Sequence, residues 1–404
     1  MKLKVMKKLA YEGCKPVAAI LGKDATLSEM GRYVVVEADE KGLSCSVHRS
    51  DIVGRATIEV DKVPAADGKA LLELEEAGRF VTDGAFLIGL LSNGKMEGDL
   101  KIDFKQPSKQ SQQDGDELAV IGTAKVTTSN LKASVGCVED RVPKIKDFDS
   151  KNAVTFKGAE LARALAEAAV AAGEATMNQD YTNVKIKVSA GYGELITTNG
   201  QQLAIVKLKD VDGNFTCIAP FMLLNTAIKA ANMDHPITIA LSKDERNIMV
   251  SYPLVYGGQA IGTVEYQLPV FEWFPKYEKK ISSISPLTEC RVLTEELKNA
   301  CAILGVVELS KTLLKVQTGK KPKMIFQKTE ARGSLDQVEV PLEKVSGKDF
   351  EVWVSARHLE AAVAKADKEY VDLVFTGRTS ICKIRFGDDD GKNFEQYFAP
   401  YTEA

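Results

Sequence analysis

The chain has 404 residues, 53 basic and 56 acidic, giving a formal net charge of −3, and 45% of them are hydrophobic. That length leaves room for about two to four domains with real cores, and the near-balanced charge excludes a protein that grips nucleic acid by bulk charge alone. No run approaches the roughly eighteen apolar residues of a membrane span, and no long apolar segment follows Met1–Lys8. Seven scattered cysteines without a C-x-x-C spacing point to reduced thiols, no metal binding, and a cytoplasmic protein without membrane association.

In chain order, a short Ala- and Leu-rich helical pattern occurs six times, marked by Leu9, Leu87, Leu161, Leu224, Leu297 and Leu359. The first is the weakest, because Pro16 interrupts Leu9, Val17 and Leu21 and should bend or shorten it. Asp83 and Asn93-Gly94 bracket the second. The third carries Leu161, Leu165, Ala168, Ala169 and Ala172 on one stripe. The fourth opens with Pro220 at its first turn and runs to Asn232. In the fifth, Thr294 is the expected N-cap, with Glu295 and Glu296 against the positive helix end. Ser355 starts the sixth.

Between these helices the period changes to two. Val184, Ile186 and Val188 alternate with Lys185 and Lys187, Thr198-Asn199-Gly200 marks a tight turn, and Lys243–Arg246 turns Ile237–Leu241 into Ile248–Val250. The expected class is α+β, helices lying on antiparallel sheets. The regular spacing of the leucines suggests three tandem copies of a two-module domain. Two polar connectors, Glu139–Ser150 and Lys276–Thr288, divide the chain into 1–149, 150–283 and 284–404, and Pro107–Asp116 reads as a loop.

No catalytic constellation is present in the sequence. His48, His235 and His358 stand at ligand spacing to nothing. Thr318-Gly319-Lys320-Lys321 fails the spacing of a phosphate loop and reads as a hairpin turn. Asp388–Gly391 lacks the alternating ligands of a calcium loop. A non-catalytic protein without cofactors is expected, with a hydrolase or transferase on an unrelated α+β fold as the enzyme alternative.

Several segments together resemble the bacterial β sliding clamp, the processivity subunit of DNA polymerase III. Thr198-Asn199-Gly200-Gln201-Gln202-Leu203-Ala204 is close to that family's T-D-G-H-R-L-A turn. Phe274-Pro275-Lys276-Tyr277 is similar to its F-P-D-Y linker, Ala302-Ile303-Leu304 to its A-I-L, and Ala399-Pro400-Tyr401 to its closing M-P-[MLI]. The first third departs most, with Thr26-Leu27-Ser28-Glu29-Met30 where the family has T-L-P-I-L.

The resemblance implies a homodimeric ring of clamp domains around double-stranded DNA, held topologically and without sequence specificity. It implies tethering of the DNA polymerase III alpha subunit, the clamp loader and other replication or repair proteins. A phage- or mobile-element-type clamp of different oligomeric state is the alternative. It further implies a partner-peptide cleft at Thr198, Gly200, Leu203, Pro275, Ile281, Ile381, Tyr397, Ala399 and Tyr401, and a dimer interface at Ala302, Ile303 and Leu304. DNA-facing candidates are Lys7, Lys8, Lys15, Arg163, Gln179, Lys229, Lys298, Arg357 and Lys365. For each of these a solvated helix face is the competing reading.

Overall fold

The computed structural model describes residues 1–21, 29–49, 51–63, 70–95, 98–105, 120–140, 145, 148–174, 178–189, 191–306, 311–327, 337–378, 380–386 and 393–400. Among them the α-helices are α1 (Lys7–Ala18), α2 (Gly84–Ser92), α3 (Gly158–Ala168), α4 (Phe221–Lys229), α5 (Glu278–Ser282), α6 (Thr294–Val306) and α7 (Ala356–Val363). Apart from the short α5, each is the helix that one of the six marker leucines announces. All six leucines are buried, none more than 2% exposed.

Around these six helices one order repeats, a strand, the helix, then three strands, with Leu72–Glu76 and Lys344–Gly347 as extra strands after the first and fifth sets. Lys2–Met6 precedes α1 and its three strands lie within 33–59. Gly78–Asp83 precedes α2, with strands at Asp99–Lys105, Val120–Thr127 and Lys132–Val138. Phe148–Lys157, Phe215–Pro220, Thr288–Leu293 and Phe350–Val354 lead the remaining four modules.

The leading strand does not stay in its own module. Lys2–Met6 pairs with Asp99–Lys105, and Gly78–Asp83 pairs with Tyr33–Asp39, so modules one and two exchange first strands. Modules three and four do the same through Phe148–Lys157 with Pro236–Ser242 and Phe215–Pro220 with Asn183–Ser189. Modules five and six exchange Thr288–Leu293 and Phe350–Val354 in the same way.

By their contacts the residues fall into two compact units, Met1–Ala159 with Met222–Val270, and Glu160–Phe221 with Phe271–Ala404. The first unit contains a 13-stranded sheet, in which Gln259–Pro269 lies against Ile52–Glu59. The second contains a nine-stranded sheet, in which Gln202–Val211 lies against Phe394–Phe398, and a four-stranded sheet that ends at the edge strand Val338–Pro341. Every pairing between these strands is antiparallel, so loops of a few residues suffice to connect most neighbours.

The ends of several helices follow local chemistry, while α4 starts at Phe221, after Pro220 has closed the preceding strand, and ends at Lys229, short of the expected Asn232. The Asp83 carboxylate accepts the Phe86 amide at 2.9 Å, and the Ser355 hydroxyl accepts the His358 amide at 3.3 Å, capping α2 and α7. Pro16 sits inside the last turn of α1, which ends two residues later. Its carbonyl accepts the hydroxyl of the fully buried Tyr266 at 2.7 Å, fastening the helix to the sheet beneath. Thr294 does not act as the expected cap through its side chain: its hydroxyl donates to the Lys368 carbonyl at 2.6 Å. A long-range acceptor has taken the hydroxyl, while Glu295 and Glu296 still occupy the first turn. No helix among the described residues is long and apolar enough to cross a membrane.

Candidate functional site

The turn at residues 198–202 is built by its own side chains. Asn199 Oδ1 accepts the amides of Gln201 and Gln202 at 3.0 and 2.8 Å, and Thr198 Oγ1 donates to the Gln202 carbonyl at 2.6 Å. Gly200 has φ +88°, a left-handed conformation that glycine adopts at little cost, and its missing side chain leaves room for the Tyr181 ring. The strand leaving this turn pairs with the last strand, placing Leu203 opposite Tyr397, and the Ala399 amide donates to the Gln201 carbonyl at 3.1 Å.

Behind the turn lies one apolar cluster within the second unit. Ile196, Leu203, Ile205, Phe274 and Tyr397 form its buried part, and Ile218, Tyr277, Ile281, Ile284 and Ile381 pack against it half-buried. Leu203, Ile281, Ile381 and Tyr397, which the resemblance grouped, are therefore in one place. Pro275 is half-buried beside them in the chain, Thr198 is buried in the turn, and Gly200 and Ala399 are exposed. Tyr401 lies outside the described residues.

The resemblance did not single out Phe274 and Tyr277, whose rings meet edge-on with centroids 6.2 Å apart. Their signal was present in the sequence, since both flank Pro275 in the linker motif. Trp273, next to them, is 48% exposed. A half-buried apolar surface with aromatic walls can accept one or two large hydrophobic side chains of a short peptide.

Charged groups rim the cluster. The Lys185 ammonium stands 5.6 Å from the centre of the Tyr277 ring, and that of Lys383 stands 5.2 Å from the Tyr397 ring. Glu395 accepts from Lys383 at 2.5 Å and from the Tyr397 hydroxyl at 2.7 Å. Burial alone would raise the Glu395 carboxyl, but these donors together outweigh it and hold it below its ordinary value. A depressed carboxylate contributes stability that is fully present above 4.5, the unperturbed value, and lost as the pH falls through the lower folded value. Urea titrations from neutral to acidic pH should therefore show a steeper loss of stability in the wild type than in Glu395→Gln; parallel curves would contradict this.

The basic candidates are spread over five of the six long helices. Lys7, Lys8 and Lys15 lie on α1, Arg163 on α3, Lys229 on α4, Lys298 on α6 and Arg357 on α7, with Lys365 just beyond α7. No charged residue occurs in α2, so it supplies no basic group. Several candidates already have partners in the chain. Lys7 donates to the Asn93 carbonyl, Lys15 stands 3.7 Å from Glu12, Arg163 binds Glu167 at 2.7 Å and Lys298 reaches the Ala366 carbonyl at 3.1 Å. Lys8 lies 5.8 Å from the Tyr256 ring. Lys229, Arg357 and Lys365 are exposed, while the side chain of Gln179 lies outside the described residues.

Of the three candidate interface residues, Ala302 and Ile303 are exposed on α6, Ile303 at 45%. Leu304 points inward and is 1% exposed. It supports the helix from within and leaves its two neighbours to meet anything outside.

No family model and no curated protein matches this sequence. Solved structures do. The DNA polymerase sliding clamp from Bacillus subtilis is 16% identical with a TM-score of 0.80 over 100% of both chains. The beta subunit from DNA polymerase of Streptococcus pyogenes is 14% identical with a TM-score of 0.78, again over 100% of both. The DNA polymerase III subunit beta from Pseudomonas aeruginosa is 15% identical at a TM-score of 0.78 and the same coverage. Identity this low carries the fold and nothing finer. From its first strand to its last, the chain has the α+β fold of the bacterial DNA polymerase III beta sliding clamps.

Proposed function

We propose that the chain is a DNA sliding clamp, a ring that encircles duplex DNA and tethers a replicative polymerase without catalysing a reaction. The observation that carries this reading is the six-fold repetition of one strand–helix–three-strand module along a chain that matches clamps over its full length. Exchange of leading strands couples the modules two by two, which supports three clamp domains at 1–149, 150–283 and 284–404. Two such chains would supply six domains and close head to tail, burying both sticky ends.

In this reading the long helices face DNA with a sparse set of lysines and arginines. Weak, unspecific phosphate contacts suit a protein that must slide, and a net charge of −3 is compatible with them. The cluster around Leu203, Phe274 and Tyr397 would receive apolar anchors from tails of the polymerase III alpha subunit and the clamp loader. The clamp fold supports a cytoplasmic site of action.

The edge strand Val338–Pro341 and the exposed Ile303 on α6 favour the dimer contact. An uncovered edge offers unpaired backbone groups to a second chain. Light scattering should give twice the monomer mass of 44.0 kDa, and Ile303→Asp should shift the protein to monomer. A wild-type monomer at micromolar concentration would reject the two-chain ring, and three times the monomer mass would favour the altered ring of a phage- or mobile-element-type clamp.

A further inference from the structure

A small pocket of about 190 Å³ opens between α3, the segment after α7 and the last hairpin of the second unit. Glu160, Glu167 and Asp367 line it against a single cation, Arg163, and the stacked rings of Phe386 and Phe394 close one wall with centroids 4.5 Å apart. Glu167 is the unusual member. Its residue is only 5% exposed, Oε1 accepts from Arg163 at 2.7 Å, and Oε2 has no hydrogen-bond partner among the described protein groups. A buried carboxylate oxygen without a donor calls for one from outside.

The arrangement selects the kind of donor. Among the described residues no three acidic, His or Cys side chains converge closely enough to hold a metal ion, so the carboxylates here are spread for something larger. A pocket of 190 Å³ has room for roughly six waters at liquid density, or for an ammonium head with its alkyl stem. The head would meet carboxylates, while Phe386 and Phe394, 2% and 1% exposed, close the inner end of the pocket behind it.

We infer that this pocket binds a primary alkylammonium ion, the end of a free polyamine, with Glu167 Oε2 as its central acceptor. Burial pushes the Glu167 carboxyl up, Arg163 and more weakly Lys365 pull it down, and Asp367 adds to the rise, so an added cation would relieve a charge that these two only partly balance. The choice of a polyamine over a lysine side chain rests on the clamp reading, in which α3 and α7 face DNA, because polycations concentrate at a phosphate backbone.

The test is calorimetric titration of the DNA-free full-length protein with putrescine at low salt. Saturable binding is expected, weakened at least tenfold by Glu167→Gln. Asp367→Asn, on an exposed residue and therefore tolerant of change, should weaken it too. Uncharged butanediol should not bind. The inference is overturned by absent putrescine binding, by binding undiminished in both variants, by equal binding of butanediol, or by binding of N-acetyl-lysine amide without that of putrescine. Because DNA is absent from the titration, failure here leaves the ring reading untouched.

Discussion

Replacing Gly262 with valine should destabilise the protein by on the order of 3 kcal/mol or more. Gly262 lies opposite Ile58, where Gln259–Pro269 runs beside Ile52–Glu59. A Cβ at this position would stand 1.8 Å from the Thr57 carbonyl oxygen and 2.9 Å from its carbon. These are backbone atoms in the middle of a sheet, held on the other side by Gly42–Arg49, and they cannot move aside as a side-chain tip could. The two strands would have to part, losing ladder hydrogen bonds as well as packing. Thr263→Val, next in the same strand, faces Thr57 across an ordinary pair and should be mild. Urea unfolding of both variants checks the difference; a loss below about 1 kcal/mol for Gly262→Val would contradict the close approach.

The second large effect is expected at the apolar cluster. Ile281 and Ile381 are half-buried on its surface, where two aspartates would place charge against the site that the clamp reading offers to a partner's hydrophobic side chains. Loss of one anchor contact typically costs about 2 kcal/mol, or roughly thirtyfold in affinity. On the clamp reading, the double variant Ile281→Asp, Ile381→Asp should thus weaken binding of a polymerase or loader tail peptide by at least that factor, read by fluorescence anisotropy. Its thermal unfolding serves as the folding control, since neither side chain belongs to the fully buried part of the cluster. A well-folded variant with unchanged tail affinity would place the docking site elsewhere.

Much of this architecture was legible because its signals are local. The leucines at 9, 87, 161, 224, 297 and 359 recur at helical spacing with alanines, and the burial of all six follows from that pattern. The turns at Thr198–Gly200 and Lys243–Arg246 fall between the strands expected on either side, and Thr318–Lys321, read as a hairpin turn, joins Thr312–Gln317 to Lys323–Gln327. The exchange of Lys2–Met6 and Gly78–Asp83 was not legible, because a strand's own alternation says which face is buried and nothing about which distant strand it joins. The same limit hid the binding of the Thr294 hydroxyl by a carbonyl 74 residues away.

At the candidate cleft, the turn residues and isoleucines could be found by motif. Phe274 and Tyr277 were visible only as linker residues, since the meeting of their rings depends on how the linker folds back over the sheet. On α6, three consecutive residues looked alike in sequence, yet a helix turns about 100° per residue, so Leu304 faces the core while Ile303 faces out. Pro107–Asp116 and Asp388–Gly391 lie outside the described residues.

The most direct measurement of the central claim is retention on DNA after loading. The protein is placed on a nicked circular plasmid by a clamp loader, the salt is raised, and the amount bound is compared before and after the circle is linearised. A ring holds by topology, so it should remain on the circle and slide off the linear duplex, whereas a protein held by phosphate contacts loses both alike as counterions compete. Salt-resistant retention on circles with rapid loss on linearisation is the predicted result. Equal retention on the two forms would contradict the ring and return the chain to the ordinary DNA-binding proteins.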